Sequence, residues 1–179
     1  LVRWLAPILS FTAEEIWGHM SGSREKSVFL AEWYEYLPKA DAMVGDIDDS
    51  GWNTILNVRS EVGKELERVR VNGDIRGALD ASVTLYCDDK VHTLLSQLGD
   101  ELRFVLMTSG AELQALDAAS SDARETELAG LKVQVAVSPD EKCERCWHRN
   151  HSVSTIEKHP TLCERCVENI EGQGEVRRY

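Results

Sequence analysis

Apolar positions recur most regularly between residues 52 and 70, where Trp52, Ile55, Val58, Val62, Leu66 and Val69 fall within roughly 120° of arc at 100° per residue. This predicts an amphipathic helix. Its basic residues divide: Lys64 and Arg68 lie on the solvated face, whereas Arg59 and Arg70 border the apolar stripe and are better placed to reach a partner. Upstream, Thr12 followed by Glu15 reads as a capping box that starts a helix carrying Ile16, Trp17 and Met20. Residues 21–51 lose this periodicity and predict an irregular connection with one apolar anchor around Val28, Leu30 and Trp33.

Beyond VNGD at 71–74 the period changes from helical to alternating. Val83, Leu85 and Cys87 alternate with Ser82, Thr84 and Tyr86 to predict a strand, which makes Cys87 a small core residue. Asp88 or Asp89 then caps a helix over KVHTLLSQL, with His92 at the surface. LRFVLM reads as a second strand, LKVQVAV as a third, and the acidic stretch 117–128 as a loop. The expected fold class is α+β in three parts: a helical segment over 1–72, a small α/β module over 73–138 and a metal-bound C-terminal domain over 139–179.

Four of the five cysteines carry the chemistry. Cys143 and Cys146 form one C-x2-C pair, Cys163 and Cys166 a second, with sixteen residues between. Two residues between thiols let one tight turn aim both sulfurs at one ion, and two such turns complete a tetrahedron. One structural Zn2+ is expected, with no open position for catalysis. A redox dithiol ordinarily uses a single pair, and iron is the other ion that four thiolates accept. His148, His151 and His159 lie nearby, but four cysteines already close the shell.

The 179 residues carry 20 Lys and Arg against 31 Asp and Glu, a formal charge of -11, which disfavours broad binding to phosphate. The deficit is unevenly spread. Residues 140–179 hold seven basic and eight acidic residues, so ten of the eleven negative charges precede them. Within that near-neutral tail Trp147 stands beside Arg145, His148 and Arg149, a grouping suited to stacking an unpaired base while cations reach phosphate. Alternatively Trp147 caps the zinc core, and Arg145 and Arg165 offset thiolate charge. No stretch approaches a membrane span and no basic leader precedes an apolar run, so a cytoplasmic protein without a membrane partner is expected. The apolar start at Leu1, without Met, reads as part of a longer polypeptide.

LAPILSFTAEEIW at 5–17 resembles the end of the helical anticodon-binding domain of class I aminoacyl-tRNA synthetases for branched aliphatic amino acids. ELRFVLMTSG, EKCERCWHR and LCERC resemble the C-terminal region of bacterial isoleucyl-tRNA synthetases, with WYEYLP at 33–38 departing from the Trp-Pro pair more usual there. The resemblance implies a parent enzyme, expected to be monomeric, that joins isoleucine to its tRNA with ATP and edits misactivated valine. It implies that ATP and Mg2+ belong to a catalytic domain absent from these residues. It also implies zinc on Cys143, Cys146, Cys163 and Cys166, and isoleucine tRNA near Arg145 and Trp147. Two other classes compete. A similar finger closes formamidopyrimidine-type DNA glycosylases, and a zinc-stapled module that contacts another protein is equally compatible with the acidic charge.

Overall fold

The computed structural model describes residues 1–37 and 47–177; Pro38, which closes the WYEYLP segment, and Arg178 lie outside them. The chain forms two compact units, Leu1–Met43 and Val44–Tyr179.

In the first unit, α1 (Val2–Leu5) and α2 (Ser10–His19) enclose a small core of Ala6, Ala13, Trp17 and Val28. The expected capping box is corrected: α2 begins at Ser10, before Thr12, with no side-chain cap. Its acidic neighbour does the capping elsewhere, because Glu14 Oε2 accepts from the Ser27 hydroxyl and the Val28 N–H, both at 2.9 Å. These bonds secure a 3-10 turn at Val28–Leu30. Only Val28 of the expected anchor is buried; Leu30 and Trp33 are exposed. Trp17 is held by its indole N–H on the Glu25 carbonyl at 2.8 Å, with Arg3 and Arg24 both over its ring.

The second unit is built on α3 (Asp49–Val71), β1 (Ala81–Cys87) and β4 (Leu131–Val137). Helix α3 starts one turn earlier than periodicity predicts because Asp48 caps it, accepting from the Gly51 N–H at 2.7 Å. Ile55, Val58 and Val62 on its apolar stripe are wholly buried and share one core with Val83 and Leu85 of β1 and Leu131 and Val133 of β4. Helix and sheet therefore stand or fall together.

The sheet has the order β2-β1-β4-β3, where β2 is Gly110–Ala115 and β3 is Arg124–Glu125. β1 runs parallel to β2 and antiparallel to β4, and β3 is antiparallel to β4. The parallel crossover contains α4 (Asp89–Ser96), capped by Asp88 and not Asp89, and α5 (Leu102–Leu106). Here the expectation of a strand over LRFVLM is wrong: the run is helical, buries Leu102 and Leu106 on one side, and stops where Met107 turns left-handed at φ 61°. β2 takes the place in the sheet, directly after it. β3 interrupts the expected loop at 117–128, and His92 is half-buried. Cys87 is buried as expected, and burial raises its thiol to about 11, with Asp88 adding to the effect.

Among the described residues no helix is long and apolar enough to cross a membrane.

Candidate metal centre and nucleic-acid interface

Among the described residues, the C-terminal segment of the second unit contains one helix, α6 (Glu164–Glu171), with turns, irregular backbone and an isolated bridge around it. Each cysteine pair uses a different local device. In the first, Cys143 N–H donates to the His148 carbonyl and Trp147 N–H returns to the Cys143 carbonyl, both at 2.9 Å. This closes a tight loop flanked by an antiparallel bridge between Lys142 and Arg149. Trp147 completes the turn at φ 67°, a backbone state uncommon for a bulky residue. In the second pair Cys163 is the N-cap of α6 and Cys166 lies in its first turn, so the positive end of the helix faces both sulfurs.

All four Sγ atoms lie within 4.8 Å of one another, and the Cys146–Cys163 separation is 3.7 Å. A tetrahedron with Zn–S bonds of about 2.3 Å needs sulfurs about 3.8 Å apart, so the four-thiol set fits zinc. Cys143, Cys163 and Cys166 are buried, packed with Val153 and Leu162. The surroundings favour a thiolate at Cys143 and oppose one at Cys163 and Cys166. Burial opposes ionisation of Cys143, but backbone N–H groups of Cys146, Cys163 and Arg145 outweigh it and bring the thiol to about 6. Burial raises Cys163 to about 12 and also raises Cys166, so an ion has protons to displace there. None of the nearby histidines joins the four-sulfur cluster. His151 is exposed, and His159 sits 2.9 Å from Glu171.

The six residues that sequence offers for tRNA separate by environment. Trp147 is 60% exposed, lies outside the finger's apolar cluster and has the Lys142 ammonium 5.4 Å from its ring centroid. Most of its surface is open to solvent. Arg145 is exposed and donates to Cys166 Sγ at 3.6 Å, beside the thiol charge it was expected to offset. His148 is half-buried, edge-on to Phe104 at 5.4 Å; burial, followed by the Arg165 and Arg103 charges, lowers its pKa. Both effects disfavour the charged imidazolium there, against a backbone hydrogen bond with Cys146 that favours it. Arg149 is held by Asp80. On α3, Arg70 pairs with Glu67, while exposed Arg59 meets no carboxylate among the described residues and touches Met107 Sδ at 3.2 Å. Sequence reading missed Lys142, whose place one residue before Cys143 puts it across the knuckle from Trp147.

Comparison with known proteins assigns the two ends of the chain. Residues 1–85 match the family described as the anticodon-binding domain of tRNA ligase, and residues 140–169 match the zinc finger found in FPG and IleRS. The whole chain is 54% identical to an isoleucine-tRNA ligase of Shewanella halifaxensis (strain HAW-EB4) and 52% identical to that of Shewanella amazonensis (strain ATCC BAA-1098 / SB2B). In both cases all 179 residues align, and they span 19% of the relative's length. At this level of identity, over every element described above and with both matched models in place, the chain is similar along its full length to the anticodon-binding and zinc-finger portion of isoleucine-tRNA ligases.

Proposed function

We propose that this chain is the tRNA-holding portion of an isoleucine-tRNA ligase, noncatalytic by itself, which grips isoleucine tRNA near the anticodon while chemistry proceeds elsewhere. Cys143, Cys146, Cys163 and Cys166 hold one Zn2+, whose contribution is to lock two knuckles whose own apolar core is minimal. The observation that carries the reading is Trp147: a bulky residue in a left-handed turn, 60% exposed at the tip of a zinc knuckle, with Lys142 beside it. Residues held in sparsely populated backbone conformations cluster at ligand-binding and other functional sites. Trp147 stacks on an unpaired base while Lys142, Arg145 and Arg59 meet phosphate.

The catalytic effect of such a grip is positional. It fixes the acceptor end at a distant active site, where misplacement lowers the rate. ATP and Mg2+ belong to those parts of the relatives' length that this chain does not span, as do attachment of isoleucine and editing of valine. The parent acts as a monomer in the cytoplasm. In function the chain divides at 1–72, 73–138 and 139–179, although α3 packs on the sheet that follows it.

The test is binding of transcribed isoleucine tRNA to the zinc-loaded chain, against a noncognate tRNA and duplex DNA. Preference for isoleucine tRNA supports the reading. Equal, weak binding to all three overturns it, and preference for duplex DNA favours the glycosylase-like alternative.

A further inference from the structure

The sheet and the finger of the second unit have no core residue in common and are joined by polar groups. Arg149 is the centre of that joint. Its backbone N–H donates to Ser109 Oγ at 2.7 Å, Nε to Asp80 Oδ1 at 3.0 Å and Nη1 to the Asp140 carbonyl at 3.1 Å. The receiving groups are themselves held. Ser109, buried, donates its hydroxyl to the Leu79 carbonyl at 2.6 Å, and Asp80 Oδ2 accepts from the Arg76 N–H at 3.3 Å. The Asp80 carbonyl takes the Ser138 N–H at 2.8 Å, which ties the same point to the end of β4. A second contact lies alongside, where Arg165 and Arg177 sit 4.8 and 4.7 Å from the Phe104 ring centroid and share Glu175.

We propose that Arg149 is a positioning residue that docks the finger on the sheet in one orientation, and that it acts on RNA only through Trp147, two residues before it. A guanidinium committed to the Asp80 carboxylate on the sheet side and to the Asp140 carbonyl has little left to offer a phosphate, and the backbone N–H of the same residue is held by the Ser109 hydroxyl. What it supplies is a fixed angle, so that Trp147 and Arg59 keep a constant relation on one rigid body. The inference rests on the tRNA reading above.

The two roles predict opposite signs for Asp80. Asp80→Asn removes a negative charge from the joint and releases Arg149. If Arg149 met phosphate directly, the release would tighten binding; if it positions the finger, binding weakens. We expect Asp80→Asn to weaken binding of isoleucine tRNA about tenfold, with zinc content and the Co2+-thiolate spectrum of the substituted finger unchanged. The exchanged pair Asp80→Arg with Arg149→Asp restores part of the loss. In a Trp147→Ala background Asp80→Asn costs no more than about twofold further, because both changes disable the same contact. Tighter or unchanged binding by Asp80→Asn, or full additivity with Trp147→Ala, overturns the inference. Should the unaltered chain bind no tRNA, the tRNA reading fails first, and the joint is then read without RNA. By 15N relaxation, finger and sheet tumble as one body in the unaltered chain and as two in Asp80→Asn; one-body tumbling in that variant overturns the docking role.

Discussion

Replacing Cys143 by Ser separates the finger's stability from that of the rest of its unit. Apart from the cysteines, the finger's cluster contains only Val153 and the half-buried Leu162. Burying two aliphatic side chains yields about 3–6 kcal/mol, whereas a structural zinc on four thiolates supplies about 10–16 kcal/mol. The metal is the larger contribution, and losing one of four ligands forfeits much of it. The sheet and α3 draw instead on a separate core of eighteen buried residues that contains no finger residue. Cys143→Ser should therefore lower the zinc content below one per chain and abolish amide protection beyond about residue 139. Protection in β1, β4 and α3 should be retained. Hydrogen exchange followed residue by residue, with elemental analysis of the same sample, reads both outcomes. Protected finger amides in a zinc-free sample would refute the reasoning, as would loss of the sheet together with the finger.

The Asp80 carboxyl is lowered because hydrogen bonds from Arg149 and the Arg76 backbone outweigh the opposing effect of burial. A depressed carboxyl contributes stability that is present above the ordinary carboxylate range and lost as the pH falls through its folded-state value. Acid should thus loosen the finger from the sheet in the unaltered chain, and thermal melts of Asp80→Asn should converge with it at low pH; parallel curves down to pH 2 would contradict this. Gly130→Ala tests the start of α4. Gly130 holds φ 79°, and an added Cβ would lie 2.1 Å from Oδ2 of Asp88, the capping residue. Urea unfolding should show a loss of about 1–3 kcal/mol. Ile55→Ala empties the centre of the shared core, with Ile55 wholly buried, and should cost about 2–5 kcal/mol by the same assay while zinc content is unchanged.

What sequence disclosed depended on whether the deciding contacts were local. Helix α3 was legible because six apolar residues keep one face over five turns, and β1 and β4 because their alternation matches the pleat. LRFVLM was not legible. Six residues of mostly apolar character fit either period, and the run is helical because it lies within the crossover into β2 and packs against α3 and β2. GAELQA carries little β-propensity; β2 exists through its parallel register with β1, where Gly110 faces Ser82 so closely that a Cβ would meet Ser82 Oγ at 2.8 Å.

The same division governs the site. The cysteine spacing disclosed the metal centre because each knuckle is a local turn. Arg149 looked like a free cation because the carboxylate that engages it stands 69 positions away. His148 looked like another until Phe104 and burial are taken into account. The exposure of Trp147 bears on the choice between core cap and open platform, and no spacing rule reports exposure.

The central claim is that RNA is met at the face of the first zinc knuckle. Titrating Trp147→Ala and the unaltered chain with isoleucine tRNA, at one salt concentration and with zinc counted in both, tests it directly. The account predicts binding weaker by about 1–3 kcal/mol, with one zinc per chain retained. Unchanged affinity, or loss of zinc along with affinity, would contradict it.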